Sequence, residues 1–504
     1  MRTCGILMPI FSLPSKYGIG TFGIEAYKFV DFLKKSGQSY WQILPLNPTN
    51  YGDSPYQSFS SFAGNPYFID IELLIDEGLL TKSEADSFDF GDQNDTIDYG
   101  KLYTNRLNLL RLAYNKFKIN DNYLEFIRSN DFWLDDYALF MSLKNAHNDK
   151  SWLTWEKELQ VREATAINKA KKKYEDNINF YKFIQFKFSE QWVKLKGYAN
   201  SKNIKIIGDM PIYVALDSVD VWANPKQFLL DSNLTPTVVA GCPPDAFSDD
   251  GQLWGNPIYN WDLMEKENFS WWKKYLGNAL KRYDLTRIDH FRGFESYYAI
   301  PFGNENAKNG KWFKGPNMKL FAAVKKEFGN DLPIIAEDLG FLTPEVLEML
   351  KESAFPGMKV LQFAFDPSLK SDYLPHNFDK NCVVYTGTHD NDTIIGWLDS
   401  ADKNYVKTAQ DYLNCYAKEN FNWAMIRLAL MSVADTCILM MNDIIGLDSK
   451  ARINTPSTVG GNWQWRIDGG CINDWLAKII YDNTKIYGRI PENSQITDTK
   501  ESQS

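Results

Sequence analysis

The sequence predicts an α/β fold: a (β/α)8 TIM barrel with large, mainly helical insertion subdomains and a lid loop over its C-terminal face. Three observations predict it. Short continuous apolar runs alternate with amphipathic helical stretches, the pattern of a parallel sheet buried on both faces. The runs number eight, and eight parallel strands close a barrel. Most runs end in a charged or polar residue, and the C-terminal strand ends of a barrel converge on one site. A barrel alone needs about 250 residues, so much of the 504-residue chain belongs to insertions.

In order, residues 24–37 carry helical apolar spacing and stop at Gly37. Residues 39–46 read as a buried strand ended by Pro45, and 51–57 as a polar, aromatic loop of turn formers. Residues 67–70 read as a second short strand. Residues 72–200 change character: helical periodicity, many charges and few glycines predict a helical insertion subdomain. The strand pattern resumes at 204–209 and is broken by an irregular insertion over 215–262 that holds the lid loop, 240–261. Further strands are expected at 284–290, 333–338, 359–366, 383–390 and 438–443, with helices such as 344–352 and 421–434 between them. Residues 1–490 thus read as one catalytic barrel domain, and the polar stretch 491–504 as a disordered tail.

Composition narrows the function. A net charge of −9 argues against a nucleic-acid partner and against an anionic membrane surface. No segment reaches about 18 consecutive apolar residues. The six cysteines are scattered without CxxC or zinc spacing, and no signal peptide precedes Pro9, so a cytoplasmic protein with reduced thiols is expected. Aromatic residues reach 15 %, many beside Gly, Asn, Asp and Pro. Aromatic faces in polar loops suit ligands with flat apolar patches and many hydroxyls, that is, sugars.

The chemistry gathers at strand ends. Arg287 and Asp289 are two apart, so a strand places them on one face, while Ile288 points into apolar packing. Asp209, Asp289, Glu337 and Asp390 all lie at expected C-terminal ends, and two of the four histidines, His290 and His389, flank candidate acids. A divalent cation does not need an arginine beside it, which disfavours a metal site, and no Gly-rich loop opens a helix for phosphate. No cofactor is implied. Paired carboxylates with sugar-suited aromatics fit glycosyl chemistry, in which one acid protonates the leaving oxygen and a carboxylate meets the oxocarbenium-like centre. Spacing alone does not decide between retention and inversion. Arg287 should hold Asp289 ionised, and burial should hold Glu337 protonated. Asp209 could equally cap its strand or hold Arg287, and Asn462 could be a turn residue.

Several stretches together carry a resemblance. They are 51–57 (YGDSPYQ), 208–212 (GDMPI), 241–248 (GCPPDAFS), 251–257 (GQLWGNP), 287–290 (RIDH), 336–340 (AEDLG), 387–391 (GTHDN) and 460–463 (GGNW). In this order they resemble the 4-α-glucanotransferases (amylomaltases, disproportionating enzymes) of glycoside hydrolase family 77, in the α-amylase clan. The resemblance implies transfer of a segment of a 1,4-α-glucan to a new 4-position of glucose or another glucan, through a covalent glucosyl-enzyme. It implies that Asp289 is the nucleophile, Glu337 the general acid/base and Asp390 the acid that grips sugar hydroxyls beside the broken bond. It implies substrate contacts from Ser54, Tyr56, Trp254 and Asn462. Asp209, Arg287, His290 and His389 complete the expected site, and Tyr51 matches a secondary glucan-binding position. Maltooligosaccharides, starch or glycogen fragments, maltose and glucose are the substrates so implied.

Transfer and hydrolysis share the same intermediate and differ in whether a sugar hydroxyl or water attacks it. The lid, rich in Gly and Pro and carrying Phe247, Trp254, Tyr259 and Trp261, is expected to exclude water and bias the intermediate towards sugars. Cys242 and Ala246 within it bear on acceptor preference. The alternatives are a retaining α-glucan hydrolase and a catalytically inactive glucan-binding barrel.

Overall fold

The structure is a computed structural model describing residues 2–91, 95–244, 248–340 and 342–491. Its strands, in chain order, are β1 (Thr3–Leu7), β2 (Tyr40–Gln42), β3 (Lys205–Met210), β4 (Val238–Cys242), β5 (Gln252–Pro257), β6 (Leu285–Ile288), β7 (Ser296–Pro301), β8 (Lys311–Lys314), β9 (Ile334–Ala336), β10 (Gly357–Val360), β11 (Cys382–Tyr385) and β12 (Thr436–Met440). Eight form one parallel sheet in the order β10-β11-β12-β1-β2-β3-β6-β9. Two bonds bridge its ends. The Ala336 N–H donates to Pro356 O at 3.0 Å, and the Met358 N–H donates to Asp338 Oδ1 at 2.6 Å. A Cβ at Gly357 would stand 2.5 Å from Asp338 Oδ2, so glycine lets that carboxylate reach the seam.

Helices return the chain from one parallel strand to the next. Ile24–Lys35 turns Ala26, Phe29, Val30, Phe32 and Leu33 inward on its way to β2, the three- and four-residue spacing of an apolar helix face. The described residues of 72–200 hold helices and no strand of either sheet. The last of these helices, Glu175–Ser201, also serves the barrel wall. Its Trp192 packs on Phe22 with ring centroids 5.2 Å apart, and the indole N–H donates to Arg282 O at 3.1 Å.

Two expectations about strands are corrected, and they cancel in the count of eight. Residues 67–70 are not a strand. Asn65 accepts from the Tyr67 N–H at 2.9 Å, starting a 3-10 turn over Pro66–Phe68. Asp70 then caps helix Ile71–Asp76 by accepting from the Leu73 N–H. Asn-Pro and Asp are helix-start signals, and they prevail over the β-forming Tyr, Phe and Ile between them. The missing strand is β1, a five-residue run interrupted by Gly5. Gly5 is needed because a Cβ there would lie 2.5 Å from Tyr40 Cβ on β2. Some strands are also shorter than expected. β10 ends at Val360 and a 3-10 turn follows over Leu361–Phe363, while Met441–Ile444 after β12 is helical.

The irregular insertion at 215–262 is also more ordered than expected. It contains the helix Val219–Ala223 and the strands β4 and β5, which join β7 and β8 in an antiparallel sheet ordered β5-β4-β7-β8. The expected lid loop is therefore largely a hairpin, with its register shifted between Val239 and Gly241. Bulges and glycines broke the alternation that would have marked it. Asp245, Ala246 and Phe247 of this stretch, and residues 492–504 of the expected tail, lie outside the described residues. No helix among the described residues is long and apolar enough to cross a membrane.

Candidate active site

Asp209 and Arg287 are register partners on β3 and β6. Both Asp209 oxygens accept from Arg287 Nη1 at 2.8 Å. The second guanidinium nitrogen, Nη2, reaches Asp289 Oδ1 at 3.0 Å, and Nε meets Met358 Sδ at 3.3 Å. The Asp209 side chain is fully enclosed and that of Arg287 is 4 % exposed, whereas Asp289 keeps 30 % of its side chain open. One arginine thus ties a buried acid to an accessible one. Asp209 is enclosed by its partners; Asp289 is the more open of the two. The expectation that Asp209 meets sugar hydroxyls gives way to the alternative that it holds Arg287, because its oxygens are already taken.

Arg287 lies beside Asp289 as expected, but its charge is not the largest influence on that carboxyl. Burial dominates and pushes the Asp289 carboxyl up to about 6; Arg287 opposes the rise, and the nearby Asp209 and Asp390 carboxylates add to it. Arg287 is divided between two acids, so only part of its field serves Asp289. The guanidinium itself stays charged, since its carboxylate neighbours outweigh its burial.

Glu337 follows directly after β9 and is 9 % exposed. Burial pushes its carboxyl up to about 7, against the pull of Arg287 and of two backbone donors. Those donors are the His290 N–H to Oε2 and the Leu339 N–H to Oε1, each at 2.7 Å. Burial thus favours the protonated form of Glu337. His290 itself has a left-handed backbone, φ 51°. Its imidazole, buried and repelled by Arg292, is pushed down to about 3 and is neutral. Its Nε2 has no hydrogen-bond partner among the described residues, and the ring packs edge-on against Trp254 at 4.8 Å.

His389 and Asp390 follow β11. The Tyr56 hydroxyl donates to Asp209 Oδ2 at 2.9 Å. Its oxygen is then left to accept from His389 Nε2, also at 2.9 Å. That imidazole nitrogen lies 3.4 Å from Asp390 Oδ2. Ser54 Oγ accepts from the Tyr56 N–H at 3.2 Å, so it shapes the loop that delivers the phenol. Gln57 Nε2 donates to Trp254 O at 3.4 Å and to Asn256 Oδ1 at 3.2 Å, which joins the loop at 51–57 to β5. The structure therefore brings Tyr56, Asp209, Arg287, Asp289, His389 and Asp390 into one chain of contacts. Glu337, His290 and Trp254 form a second, joined to the first by the turn from Asp289 to His290.

Two expected residues stand apart. Asn462 spends its amide on its own loop, with Oδ1 accepting from the Thr455 N–H at 2.9 Å and Nδ2 donating to Thr458 Oγ1 at 3.0 Å. Tyr51 begins a 3-10 turn, Tyr51–Asp53, and its side chain lies outside the described residues. Two neighbours of Asp390 were missed. Asn454 Nδ2 donates to Asp390 Oδ1 at 2.6 Å, and Arg452 Nη2 donates to Asp390 O at 2.8 Å. The only hint in the sequence is that both lie in the polar run leading into the 460–463 motif. Among the described residues, no three His, Cys, Asp or Glu side chains are arranged to hold a metal ion.

An all-parallel eight-stranded barrel whose strand ends gather carboxylates and histidines, with the half-buried Trp254 indole beside them, belongs to the class of barrel enzymes that handle glycosidic bonds. Comparison with known proteins makes this specific. The sequence profile described as 4-alpha-glucanotransferase matches residues 8–472. The 4-alpha-glucanotransferase of Clostridium butyricum is 52 % identical over 486 residues, 96 % of this chain and 100 % of that protein. That of Thermus thermophilus is 45 % identical over 479 residues, covering 92 % and 95 %. The solved structure of the amylomaltase from Streptococcus agalactiae in complex with acarbose superposes with a TM-score of 0.95 at 41 % identity, over 97 % of this chain and 100 % of that one. The chain belongs to the 4-alpha-glucanotransferase family.

Proposed function

We propose that the chain moves a segment of a 1,4-α-glucan from a donor to the 4-hydroxyl of glucose or another 1,4-α-glucan, by double displacement at Asp289 and Glu337. The observation that carries these roles is the division of Arg287 between enclosed Asp209 and open Asp289, beside a Glu337 that burial holds protonated. In the first step the Asp289 carboxylate attacks the anomeric carbon. The bond to the leaving 4-oxygen breaks, and Glu337 gives that oxygen its proton. In the second step Glu337, now ionised, takes the proton from an acceptor 4-hydroxyl. That oxygen attacks the anomeric carbon and the ester bond to Asp289 breaks.

The neighbours prepare both steps. Asp390, tethered by Asn454, is held to grip hydroxyls of the sugar next to the broken bond. His290 offers a neutral imidazole nitrogen with no partner among the described residues, suited to a sugar hydroxyl. Trp254 offers a ring face on β5, and we assign to the β4–β5 hairpin the covering role that excludes water. Tyr51 is the candidate for a secondary glucan contact and Asn462 supports the acceptor-side loop. We treat residues 1–490 as one catalytic unit with the helical insertion at 72–200. Six free cysteines support a reducing, cytoplasmic setting.

Maltotriose tests the reaction. Transfer produces glucose together with longer oligosaccharides, whereas glucose and maltose alone would mean hydrolysis and overturn the proposal. Asp289→Asn and Glu337→Gln should each abolish the ladder while the protein stays folded; full activity in either variant removes that residue from its role.

A further inference from the structure

Away from the catalytic residues, the outer wall carries a cleft of about 660 Å³. Two helix faces flank it. Glu419 and Trp423 are four apart on Lys418–Met431, and Trp475 and Ile479 are four apart on Asp474–Ile486, so each pair projects from one side of its helix. Its lining includes Ile444, Ile445 and Gly446 from the segment after β12, and Ile395 from the helix Ile394–Ser400. Trp475 is 72 % exposed, an indole left in water beside a concave, partly polar surface.

We propose that this cleft is a second binding surface for α-1,4-glucan chains, one that tethers long donors to the enzyme. The inference rests on the glucan-transfer reading above. Its chemistry is that of polyol recognition: two indoles supply flat apolar faces, and Glu419 supplies a polar edge. An anionic ligand does not fit. Lys418, the one cation lining the cleft among the described residues, is already clasped by both oxygens of Asp399 at 2.6 and 2.7 Å, and Glu419 adds negative charge.

The cleft also shares structure with the catalytic loop. The Ile394 N–H donates to Asp443 Oδ1 at 2.7 Å, and Asn422 of the cleft donates to Asp443 O at 2.9 Å. Asp390 lies only four residues before Ile394. A chain bound in the cleft is thereby held at the same end of the barrel, and tethering raises its effective concentration at the site.

The test is amylose binding by the intact Asp289→Asn protein, with and without Trp475→Ala, beside transfer kinetics in the active background. Trp475→Ala should weaken amylose binding about three- to tenfold, the loss of one aromatic face, and raise the KM for amylose. It should leave maltotriose kinetics within about twofold, and Trp475→Phe should restore most of the binding. Unchanged amylose affinity overturns the proposal. So does a change in molecular mass in solution on Trp475→Ala, because the face would then cover a second copy. If Asp289→Asn retained transfer, the catalytic reading would fail while the binding comparison still decided on the cleft.

Discussion

The backbone N–H of His290 donates to Glu337 Oε2 at 2.7 Å. The turn that follows Asp289 therefore also holds the carboxyl on the neighbouring strand. Two groups proposed to act on the same bond are tied together by one left-handed residue rather than by two independent loops. Any substitution at Glu337 is felt by the chain that carries Asp289.

The protonation states set a pH window. The proposed mechanism requires Asp289 ionised and Glu337 protonated. It should rise as pH passes the Asp289 value of about 6 and fall as it passes the Glu337 value of about 7. The rate of transfer from maltotriose across pH 4–9 checks this; a flat profile through both values contradicts it.

Stability follows with a definite sign. The folded Glu337 carboxyl titrates near 7, above its ordinary range, so it favours folding below about pH 4 and loses that contribution as pH rises to 7. Glu337→Gln removes this titration. Relative to the parent, the variant should gain up to about 3 kcal/mol between pH 4 and 8 in urea unfolding, one pKa unit being about 1.4 kcal/mol. The readout is the slope, because the amide also places an NH2 against a backbone donor at every pH.

Arg287→Met should be strongly destabilising. It leaves the fully enclosed Asp209 without its guanidinium, and removing one partner of a buried pair costs about 3–5 kcal/mol. Asp209→Asn with Arg287→Met should recover part of that loss, since the uncompensated charge is gone. Denaturant midpoints of the single and double variants measure the coupling.

Asn454→Ala should leave the fold intact and release the Asp390 carboxylate from its 2.6 Å bond. A misplaced group of this kind costs on the order of 100-fold in rate. The expected result is a fall in kcat for maltotriose transfer with little change in melting temperature. An unchanged kcat would mean that Asp390 is oriented without Asn454.

Local patterns in the sequence revealed much of this site. Arg287 and Asp289 are legible because the two-residue period of a strand puts them on one face. Glu337 and Asp390 are legible because they end apolar runs. What escaped depends on distance along the chain. Asn454 meets Asp390 across 64 residues, and the division of Arg287 between two acids depends on the pairing of β3 with β6. Residues 67–70 looked like a strand because tyrosine, phenylalanine and isoleucine favour one, yet Asn65 and Asp70 capped helical turns on either side. β1 was overlooked because five residues with a central glycine carry little pattern until Tyr40 packs against them.

The most direct measurement uses Glu337→Gln with α-maltosyl fluoride. Fluoride leaves without an acid, so the first step proceeds, while the second lacks its base and the intermediate accumulates. Peptide mass spectrometry should then find a maltosyl adduct on the peptide containing Asp289. An adduct on the peptide of Asp209 or Asp390, or turnover of the fluoride at the parent rate with no adduct on Asp289, would contradict the assignment.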